Sequence, residues 1–375
     1  MKNSKNTRPV WLEINLDNIK YNFEKIKENV SQETFIMAVV KADAYGHGVI
    51  PVVKTLVEAG CDRLAVALPE EGKEIRKAGY RDIPIHVLGE VFKEQIPLLF
   101  EYNLIPTISK DNTIKKINSF ASKRNKKKKV HIKIDTGMGR IGLFPSESVK
   151  FIEKVNKMNN IEIEGILTHF ANADEKDKNY TYKQWNTFKN VVNKLEEREI
   201  YISLKHVANS AAIIDLPDMQ MDMVRPGIML YGLKPSPEVK NIDLKPALSW
   251  KAKIVYLKEV PPGSGISYGT TFVTSRRSSI ATLPLGYADG YSRILSNKAD
   301  VLINGERAPV VGNICMDQFM IDVSEIEKVK NGDEVVILGK QGNEEISAVE
   351  LAKKLGTISY EVICNISQRI PKIYV

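Results

Sequence analysis

The sequence has few cysteines and no long apolar stretch. Its three cysteines, at positions 61, 315 and 364 of 375 residues, are odd in number and widely spaced, which favours reduced thiols over a disulfide framework or a cysteine metal site. No apolar run reaches the roughly 20 residues that a membrane-spanning helix needs. The N-terminal segment MKNSKNTRPVWLEINL is basic, but Glu13 interrupts its short apolar part, so it lacks the apolar core of a secretory signal. These absences predict a cytoplasmic protein that does not span a membrane.

Positive charge is in excess, but the excess is local. The formal net charge is +8, and it is concentrated in the run KRNKKKK at residues 123–129. This run has no interleaved aromatic residues and belongs to no recognisable nucleic-acid-binding module. It predicts a solvated loop between a helix and a strand rather than a surface for nucleic acid.

Short β-rich runs alternate with helix-like segments from residue 34 to about residue 232. Eight runs are candidate strands: TFIMAVV, LAVAL, IPIHVLG, LIPTIS, VHIKID, IEIEGILTHF, ISLKHVA and MVRPGIMLYG. The segments between them, such as VIPVVKTLVEAG and PEEGKEIRKAG, carry apolar residues near helical spacing and end in glycine. This pattern predicts an α/β fold, a (β/α)8 TIM-type barrel over residues 1–244, with its chemistry at the C-terminal ends of the strands.

Residues 245–375 follow a different pattern. Strand-like runs are broken there by glycine, proline and asparagine turns, and only SAVELAKKLG reads clearly as a helix. The segment predicts a second, mainly β domain after a linker at KPSPEVKNIDLKP. The N-terminal residues 1–16 are candidates for packing with this domain instead of the barrel.

Polar residues stand at the ends of several predicted strands. Lys41 ends the first strand in VVKADAYGHG, where it is either a lysine reaching for solvent or a functional group. The other such residues are Arg140, His169, Asn209, Ser210 and Arg225. Together they predict a ring of functional side chains at one mouth of the barrel.

The last predicted strand leads into a candidate phosphate site. The amides of Gly227 and Ile228, beside the Ser210 hydroxyl, are suited to hold a phosphate after the late strands. A lysine facing such a site suggests pyridoxal phosphate, because an ε-amine condenses with the cofactor aldehyde to form a Schiff base.

Several long segments carry a more specific signal, and they occur in order along nearly the whole chain. They are VVKADAYGHG, HIKIDTGMGRIG, THFANAD, HVANSA, VRPGIMLYG, GSGISYGTTF, LPLGYADGY, GNICMDQ and TISYEVICNIS. Through these segments the sequence resembles the alanine racemase family. The resemblance implies an isomerase that interconverts L-alanine and D-alanine by a two-base mechanism, uses pyridoxal 5'-phosphate and supplies D-alanine for peptidoglycan.

The resemblance also implies roles for individual residues. Lys41 and Tyr268 are the two catalytic bases on opposite faces of the cofactor, which racemisation requires. Supporting residues are His169, Arg140, Arg225, Asp317 and Lys133. Cofactor-binding residues are Lys41, Tyr45, Asn209, Ser210, Arg225, Gly227, Ile228 and Tyr360. Substrate-binding residues are Arg140, Met316 and Tyr287. No metal is implied, and the partner is a second copy of the chain, with Tyr268 entering the partner's site.

Two positions need separate comment. In VHIKID, Lys133 shares a strand face with His131 and Asp135. It either pairs with Asp135 or, as often in the family, is carbamylated; we favour the carbamate because an unpaired buried lysine is costly. Asn313 in VGNICMDQ departs from the family, in which many members carry an arginine that is thought to line the substrate corridor. The departure affects expectations for substrate entry but not for the chemistry.

Three alternatives remain open. The first is a racemase of broader amino-acid specificity. The second is a barrel-type pyridoxal phosphate decarboxylase, although such enzymes place a carboxylate at the pyridine nitrogen, where Arg225 is expected here, and lack the ISYGT tyrosine. The third is a non-catalytic pyridoxal phosphate-binding protein, in which the roughly 130 C-terminal residues would have no place.

Overall fold

The structure is a computed structural model that describes residues 8–375. Among these residues one compact unit comprises 18–44 and 49–245, and the other comprises 8–17, 45–48 and 246–375. Residues Val10–Ile14 form strand β1, which belongs to the sheet of the second unit. Residues 1–7 of the segment considered for packing with the β domain lie outside the described residues.

The first unit is built on an eight-stranded parallel sheet in the order β8-β7-β6-β5-β4-β3-β2-β9. Its strands are β2 (Phe35–Val39), β3 (Arg63–Val66), β4 (Ile85–Val87), β5 (Leu104–Ile108), β6 (Lys128–Lys133), β7 (Ile161–Leu167), β8 (Leu204–His206) and β9 (Met223–Val224). An isolated parallel bridge joins Asn209 to Arg225, and the Arg225 amide donates to the Ala208 carbonyl at 3.0 Å. These contacts bring the ends of β8 and β9 together, so the predicted eight-stranded barrel is confirmed.

Helices follow the strands around the barrel, as the apolar periodicity predicts. They are α1 (Leu16–Glu28), α2 (Val49–Glu58), α3 (Pro69–Lys77), α4 (Ile96–Glu101), α5 (Asp111–Ser122), α6 (Pro145–Asn156), α7 (Asn179–Glu196) and α8 (Ser210–Asp215). Each longer helix buries one apolar stripe; in α1 it consists of Ile19, Phe23 and Ile26. No helix within residues 8–375 is long and apolar enough to cross a membrane.

The last predicted strand, MVRPGIMLYG, is shorter than expected. Only Met223 and Val224 form β9, and Ile228–Tyr231 form a 3-10 helix. Pro226 between them has no amide to donate to a neighbouring strand. The strand therefore ends early, and the short helix begins at the mouth of the barrel.

The second unit is mainly β, as predicted. Its strands besides β1 are β10 (Leu248–Lys253), β11 (Tyr256–Val260), β12 (Gly265–Ile266), β13 (Phe272–Val273), β14 (Ser278–Leu283), β15 (Asp300–Ile303), β16 (Glu306–Val311), β17 (Phe319–Asp322), β18 (Glu334–Gln341), β19 (Glu344–Ile346) and β20 (Lys372–Tyr374). Nine of these strands and β1 form one ten-stranded sheet, in which β1 pairs antiparallel with β10 and parallel with β20. Helices α9 (Ala348–Leu355) and α10 (Ser359–Cys364) also belong to this unit.

Candidate active site

Lys41 lies two residues beyond the C-terminal end of β2, whose last four residues are buried. The next four residues, Ala42 to Tyr45, form a left-handed turn with φ of 52° to 53° at each position. Non-glycine residues in this conformation cost roughly 1–2 kcal/mol each. Strain of this kind persists only where the surroundings hold it, and it is typical of functional sites.

Two carboxylates hold this turn. Glu71 accepts a hydrogen bond from the Ala42 amide at 2.6 Å and, through its other oxygen, from the Ala67 amide at 2.7 Å. Asp43 accepts from the Val49 amide at 2.7 Å, at the first residue of α2. The segment after Lys41 is thereby fixed to the end of β3 and the start of α2.

Lys133 is buried in the barrel at the end of β6, in a cationic environment. Burial, and then the charges of Arg140 and Arg225, lower the pKa of Lys133 to about 7. Asp135 is not its ion-pair partner in residues 8–375, since no Lys133 salt bridge occurs there. Instead Asp135 Oδ1 accepts from the amides of Gly137 at 2.9 Å and Gly139 at 3.1 Å.

Arg225 is buried, and each of its terminal nitrogens donates hydrogen bonds. Nη1 contacts the carbonyl oxygen and Nδ1 of His206, both at 2.8 Å. Nη2 contacts His169 Nδ1 at 3.3 Å and two main-chain carbonyls. Burial, and then Arg140, lower the pKa of Arg225 to about 9, so the guanidinium remains a cation at neutral pH.

His169 follows β7 at the same mouth of the barrel. Burial, and then the charges of Arg225 and Lys133, lower the pKa of His169 well below its usual range. Arginine has no acceptor, so His169 Nδ1 must accept from Arg225 and the proton of the neutral ring lies on Nε2. His169 therefore presents a donor on the side away from Arg225.

A chain of buried side chains runs inward from Arg225. His206 Nε2 lies 2.7 Å from His131 Nδ1, and His131 Nε2 lies 3.0 Å from Glu164 Oε2. His206 Nδ1 accepts from Arg225, so the neutral His206 ring carries its proton on Nε2 and donates it to His131 Nδ1. His131 in turn donates from Nε2 to the Glu164 carboxylate, where the chain ends. Gly165 leaves room for it, since a Cβ there would lie 2.4 Å from the His131 ring.

The inner end of the chain is anchored by two cations. Arg63 contacts Glu164 at 2.9 Å and His86 Nε2 at 3.2 Å, and Lys129 contacts Glu164 at 2.9 Å. Burial alone would raise the pKa of Glu164, but hydrogen bonds from His131 and these two cations lower it. His86, His131 and Glu164 lie close enough to hold a metal ion. The Arg63 guanidinium, however, already contacts His86 and Glu164.

The residues predicted to bind phosphate lie where the start of α8 meets the segment after β9. The Ser210 hydroxyl accepts from the Gly227 amide at 2.9 Å. Asn209 caps α8 by accepting from the Ala212 amide at 3.1 Å. Ile228 begins the 3-10 helix, where the first amides have no partner within the helix. The Ser210 hydroxyl keeps its own proton to donate, so this hydroxyl and the Ile228 amide are candidate donors to an oxyanion.

Tyr45 and Tyr360 lie in the second unit. Their ring centroids are 6.3 Å apart, and Tyr45 is 7% exposed. Burial, and then the charge of Cys364, raise the pKa of Tyr45. The Tyr45 phenol therefore remains a neutral hydrogen-bond donor at physiological pH.

Tyr268 lies in a tight 3-10 turn of the second unit and is 73% exposed. Ser267 and Thr270 on either side have positive φ. Asn313 donates from Nδ2 to the Tyr268 carbonyl at 2.6 Å. The Ser267 hydroxyl donates to the Asn313 carbonyl at 2.5 Å. Asn313 therefore fixes the turn that carries Tyr268.

Met316 and Tyr287 lie on adjoining segments of the same unit. The Tyr287 amide donates to the Cys315 carbonyl at 3.1 Å, and the Ala288 amide donates to the Met316 carbonyl at 3.0 Å. Gly286 permits this close approach, because a Cβ there would lie 2.1 Å from the Cys315 oxygen. The two predicted substrate residues are thus held together by main-chain hydrogen bonds.

A charged network supports these segments. Asp289, fully buried, pairs with Arg8 at 2.7 Å and with Arg369 at 2.8 Å. Arg369 also donates to Asp317 at 2.5 Å. Asp317 is exposed and lies next to Met316. The network ties both ends of the described chain to the predicted substrate segment.

Sequence reasoning missed several of these supporting residues. Glu71, His206, Glu164, Asp289 and Arg369 belong to no short motif with a known chemical role. Their partners are distant in sequence, so only the fold brings them together. The available signal was weak: a buried glutamate position in the strand run IEIEGIL and an aspartate inside LPLGYADGY.

Comparison with known proteins gives matches over nearly the whole chain. Residues 14–235 match the family described as alanine racemase, N-terminal domain, and residues 247–374 match alanine racemase, C-terminal domain. The alanine racemase of Halothermothrix orenii is 61% identical over 373 residues, which cover 99% of this chain and 98% of that protein.

Solved structures show the same similarity. The alanine racemase of Clostridium difficile 630 superposes with a TM-score of 0.95 at 46% identity, covering 99% of this chain and 97% of that one. The enzyme of Bartonella henselae, solved with covalently bound pyridoxal phosphate, has a TM-score of 0.88 at 31% identity, covering 98% of this chain and 99% of that one. The chain therefore belongs to the alanine racemase family of isomerases.

Proposed function

We propose that the protein interconverts L-alanine and D-alanine, with pyridoxal 5'-phosphate at the C-terminal mouth of the barrel and with Lys41 and Tyr268 as the two proton-transfer residues. The observation that carries this proposal is the buried Arg225, held by His206 and His169 at the strand ends that also carry Lys41. A guanidinium there distinguishes a racemase site from the carboxylate-bearing site expected of a decarboxylase.

The residues at this mouth fit the cofactor. Ser210 and Ile228 offer a hydroxyl donor and an amide donor to a phosphate, and the Gly227 amide, which donates to the Ser210 hydroxyl, orients that hydroxyl. Arg140 and Arg225 carry positive charge at this mouth, which favours binding of an anionic cofactor. Tyr45, Asn209 and Tyr360 complete the proposed cofactor-binding set. When bound, pyridoxal phosphate withdraws electrons from the amino-acid α-carbon and so makes its proton removable.

Lys41 and Tyr268 would then move the α-proton. Lys41 Nζ, which would also hold the cofactor covalently, removes or returns the proton on one face, and the Tyr268 hydroxyl does so on the other. His169 supports the phenolate form of Tyr268 by presenting its Nε2 proton as a donor. Inversion at carbon results because removal and return occur on opposite faces.

Arg225 would face the ring nitrogen of the cofactor. Its protons are fixed at neutral pH, so it donates a hydrogen bond and does not supply a proton. The ring nitrogen then stays an acceptor, and the negative charge that develops at the α-carbon is less stabilised. Rapid return of the proton is favoured over transamination or elimination.

The substrate carboxylate would be bound by Arg140 and by the Met316 amide, with Tyr287 beside them. The main-chain hydrogen bonds between the 287–288 and 315–316 segments support this assignment, because they fix the Met316 backbone. Asp317, held by Arg369, fixes the same segment from its other side.

Lys133 is proposed to be carbamylated. A pKa of about 7 leaves much of its amine neutral at neutral pH, and only the neutral amine reacts with carbon dioxide. The resulting anion would be stabilised by Arg140 and Arg225 nearby. Mass spectrometry of the native protein in bicarbonate should show the mass of one carbon dioxide on Lys133, and Lys133→Met should lack it. Absence of that mass in the wild type would refute the modification.

The active form is proposed to be a homodimer with shared sites. Tyr268 is 73% exposed in the single chain, although a catalytic phenol works best in surroundings that exclude water. A two-fold dimer would bury it against a second copy. The cytoplasmic location and a role in supplying D-alanine for peptidoglycan stay predictions.

An assay with a panel of L-amino acids tests the proposed activity. The purified protein, supplied with pyridoxal phosphate, should convert L-alanine to D-alanine, and the D-isomer is measured by chiral chromatography. Comparable rates with several larger amino acids would favour the broader-specificity racemase. Release of carbon dioxide, or the absence of any D-isomer, would contradict the proposal.

A further inference from the structure

A cavity of about 410 Å³ lies at the opposite mouth of the barrel from Lys41. Its walls come from the N-terminal ends of the strands: Arg63 begins β3 and Lys128 begins β6. The basic run that the sequence singled out at residues 123–129 supplies four lysines to this cavity, Lys126 to Lys129. Only residues 123–127 form the predicted loop, because β6 begins at Lys128.

Lys128 is a buried lysine in the wall of this cavity. It is 5% exposed, and its Nζ donates to the Leu99 carbonyl at 2.6 Å. Within residues 8–375 it forms no salt bridge. Burial, and then the charges of Lys126 and Arg76, lower the pKa of Lys128 to about 7. The cavity therefore has a positive local field that an anion would relieve.

The neighbouring groups do not supply that anion. Arg76 is also buried, and within residues 8–375 it donates hydrogen bonds to main-chain carbonyls. Glu164 is already bound by Arg63, Lys129 and His131, and Glu162 lies 3.8 Å from Lys129. Asp82, the remaining acid of the lining, is exposed at the surface.

One wall of the cavity is apolar. Pro84, Phe100 and Ile105 line it, and the Phe100 ring centroid lies 5.0 Å from Lys128 Nζ. The volume exceeds that of a bare inorganic anion and lies in the range of small-molecule sites. From this geometry we infer that the N-terminal mouth of the barrel is a second ligand site, for a small organic oxyanion such as a phosphate monoester. Its headgroup meets Lys128, and its apolar part packs on Phe100 and Ile105.

Phenyl phosphate is a suitable probe, with inorganic phosphate and phenol as its two halves. Isothermal titration of the protein carrying its cofactor should give a Kd for phenyl phosphate of about 1 mM or lower, and each half should bind at least about tenfold more weakly. Lys128→Met should weaken binding by tenfold or more. Lys123→Met, which removes a charge from the same run outside the cavity, should leave it unchanged.

A labelling experiment tests the site without a variant. Phenyl phosphate should protect Lys126, an exposed lysine of the cavity lining, from an acetylating reagent in the wild-type protein, as mapped by peptide mass, and should leave Lys123 unprotected. The inference is overturned if phenyl phosphate does not bind, if Lys128→Met binds it as the wild type does, or if Lys123 and Lys126 respond equally.

Discussion

At the scale of single residues, Arg225 has the most constrained environment in the proposed site. Both terminal nitrogens are engaged by His206, His169 and main-chain carbonyls. A side chain held in this way presents one fixed donor geometry to whatever lies at the barrel mouth. The identity of this residue therefore bears directly on which reaction the site favours.

Replacing Arg225 with Glu should slow racemisation by at least tenfold, about 1.4 kcal/mol in activation free energy. A carboxylate would favour protonation of the cofactor ring nitrogen and stabilise negative charge at the α-carbon. Pyruvate formed per racemisation event should rise for the same reason. Arg225→Lys, which keeps the positive charge, is the matched control and should form less pyruvate. A folded Arg225→Glu protein that racemises alanine at the wild-type rate would refute this role.

At the scale of elements, the left-handed turn after β2 is the most unusual local structure. Ala42 is exposed, with φ of 53°, so a glycine there loses no packing and relieves steric strain. The turn follows Lys41 directly and is fixed by Glu71 and Asp43. The strain therefore lies immediately after Lys41, the residue proposed to bind the cofactor covalently.

Ala42→Gly should raise the free energy of unfolding by up to about 1 kcal/mol. Ala78→Gly is the control, because Ala78 is also exposed but has φ of −76°. That change should lower the free energy of unfolding by a few tenths to about 1 kcal/mol. Urea unfolding of both variants measures the difference, and equal effects would argue against strain in the turn.

The sequence predicted elements better than it predicted contacts. The eight barrel strands could be identified as short apolar runs between helix-like segments, because a buried parallel strand is largely apolar along its length. The polar residues just beyond them, such as Lys41 and His169, could be assigned to one mouth because the C-terminal ends of parallel strands lie at the same end of a barrel. The left-handed turn and the pairing of His131 with His206 could not be predicted. Both depend on side chains from distant segments, among them Glu71 and Glu164.

At the scale of the whole molecule, the buried histidines should make stability sensitive to acid. Four of the five histidines, His86, His131, His169 and His206, have pKa values lowered chiefly by burial. They stay neutral in the folded protein and take up protons on unfolding below about pH 6.5. The free energy of unfolding should therefore fall as pH decreases from about 6.5.

His86 provides a variant that tests this pH dependence. It lies beside His131 but outside the chain that reaches Arg225. His86→Gln should reduce the slope of unfolding free energy against pH, between about pH 6.5 and 5, by up to about 1.4 kcal/mol per pH unit. An unchanged slope would show that His86 is protonated equally in the folded and unfolded states.

In the proposed mechanism, Lys41 and Tyr268 come from different parts of the chain and serve one reaction. Lys41 belongs to the barrel unit, and Tyr268 is exposed on the β unit. Two-base racemisation requires one proton-transfer residue on each face of the substrate, and in a two-fold dimer each proposed site would take Lys41 from one protomer and Tyr268 from its partner.

Complementation between two inactive variants tests this claim most directly. Lys41→Ala and Tyr268→Phe should each be nearly inactive alone. After they are unfolded and refolded together, about half the dimers should be mixed, each with one intact site, so about a quarter of wild-type activity should return. If each chain used its own Tyr268, no mixed dimer would hold an intact pair. Mixed dimers verified by mass but without activity would contradict the shared site.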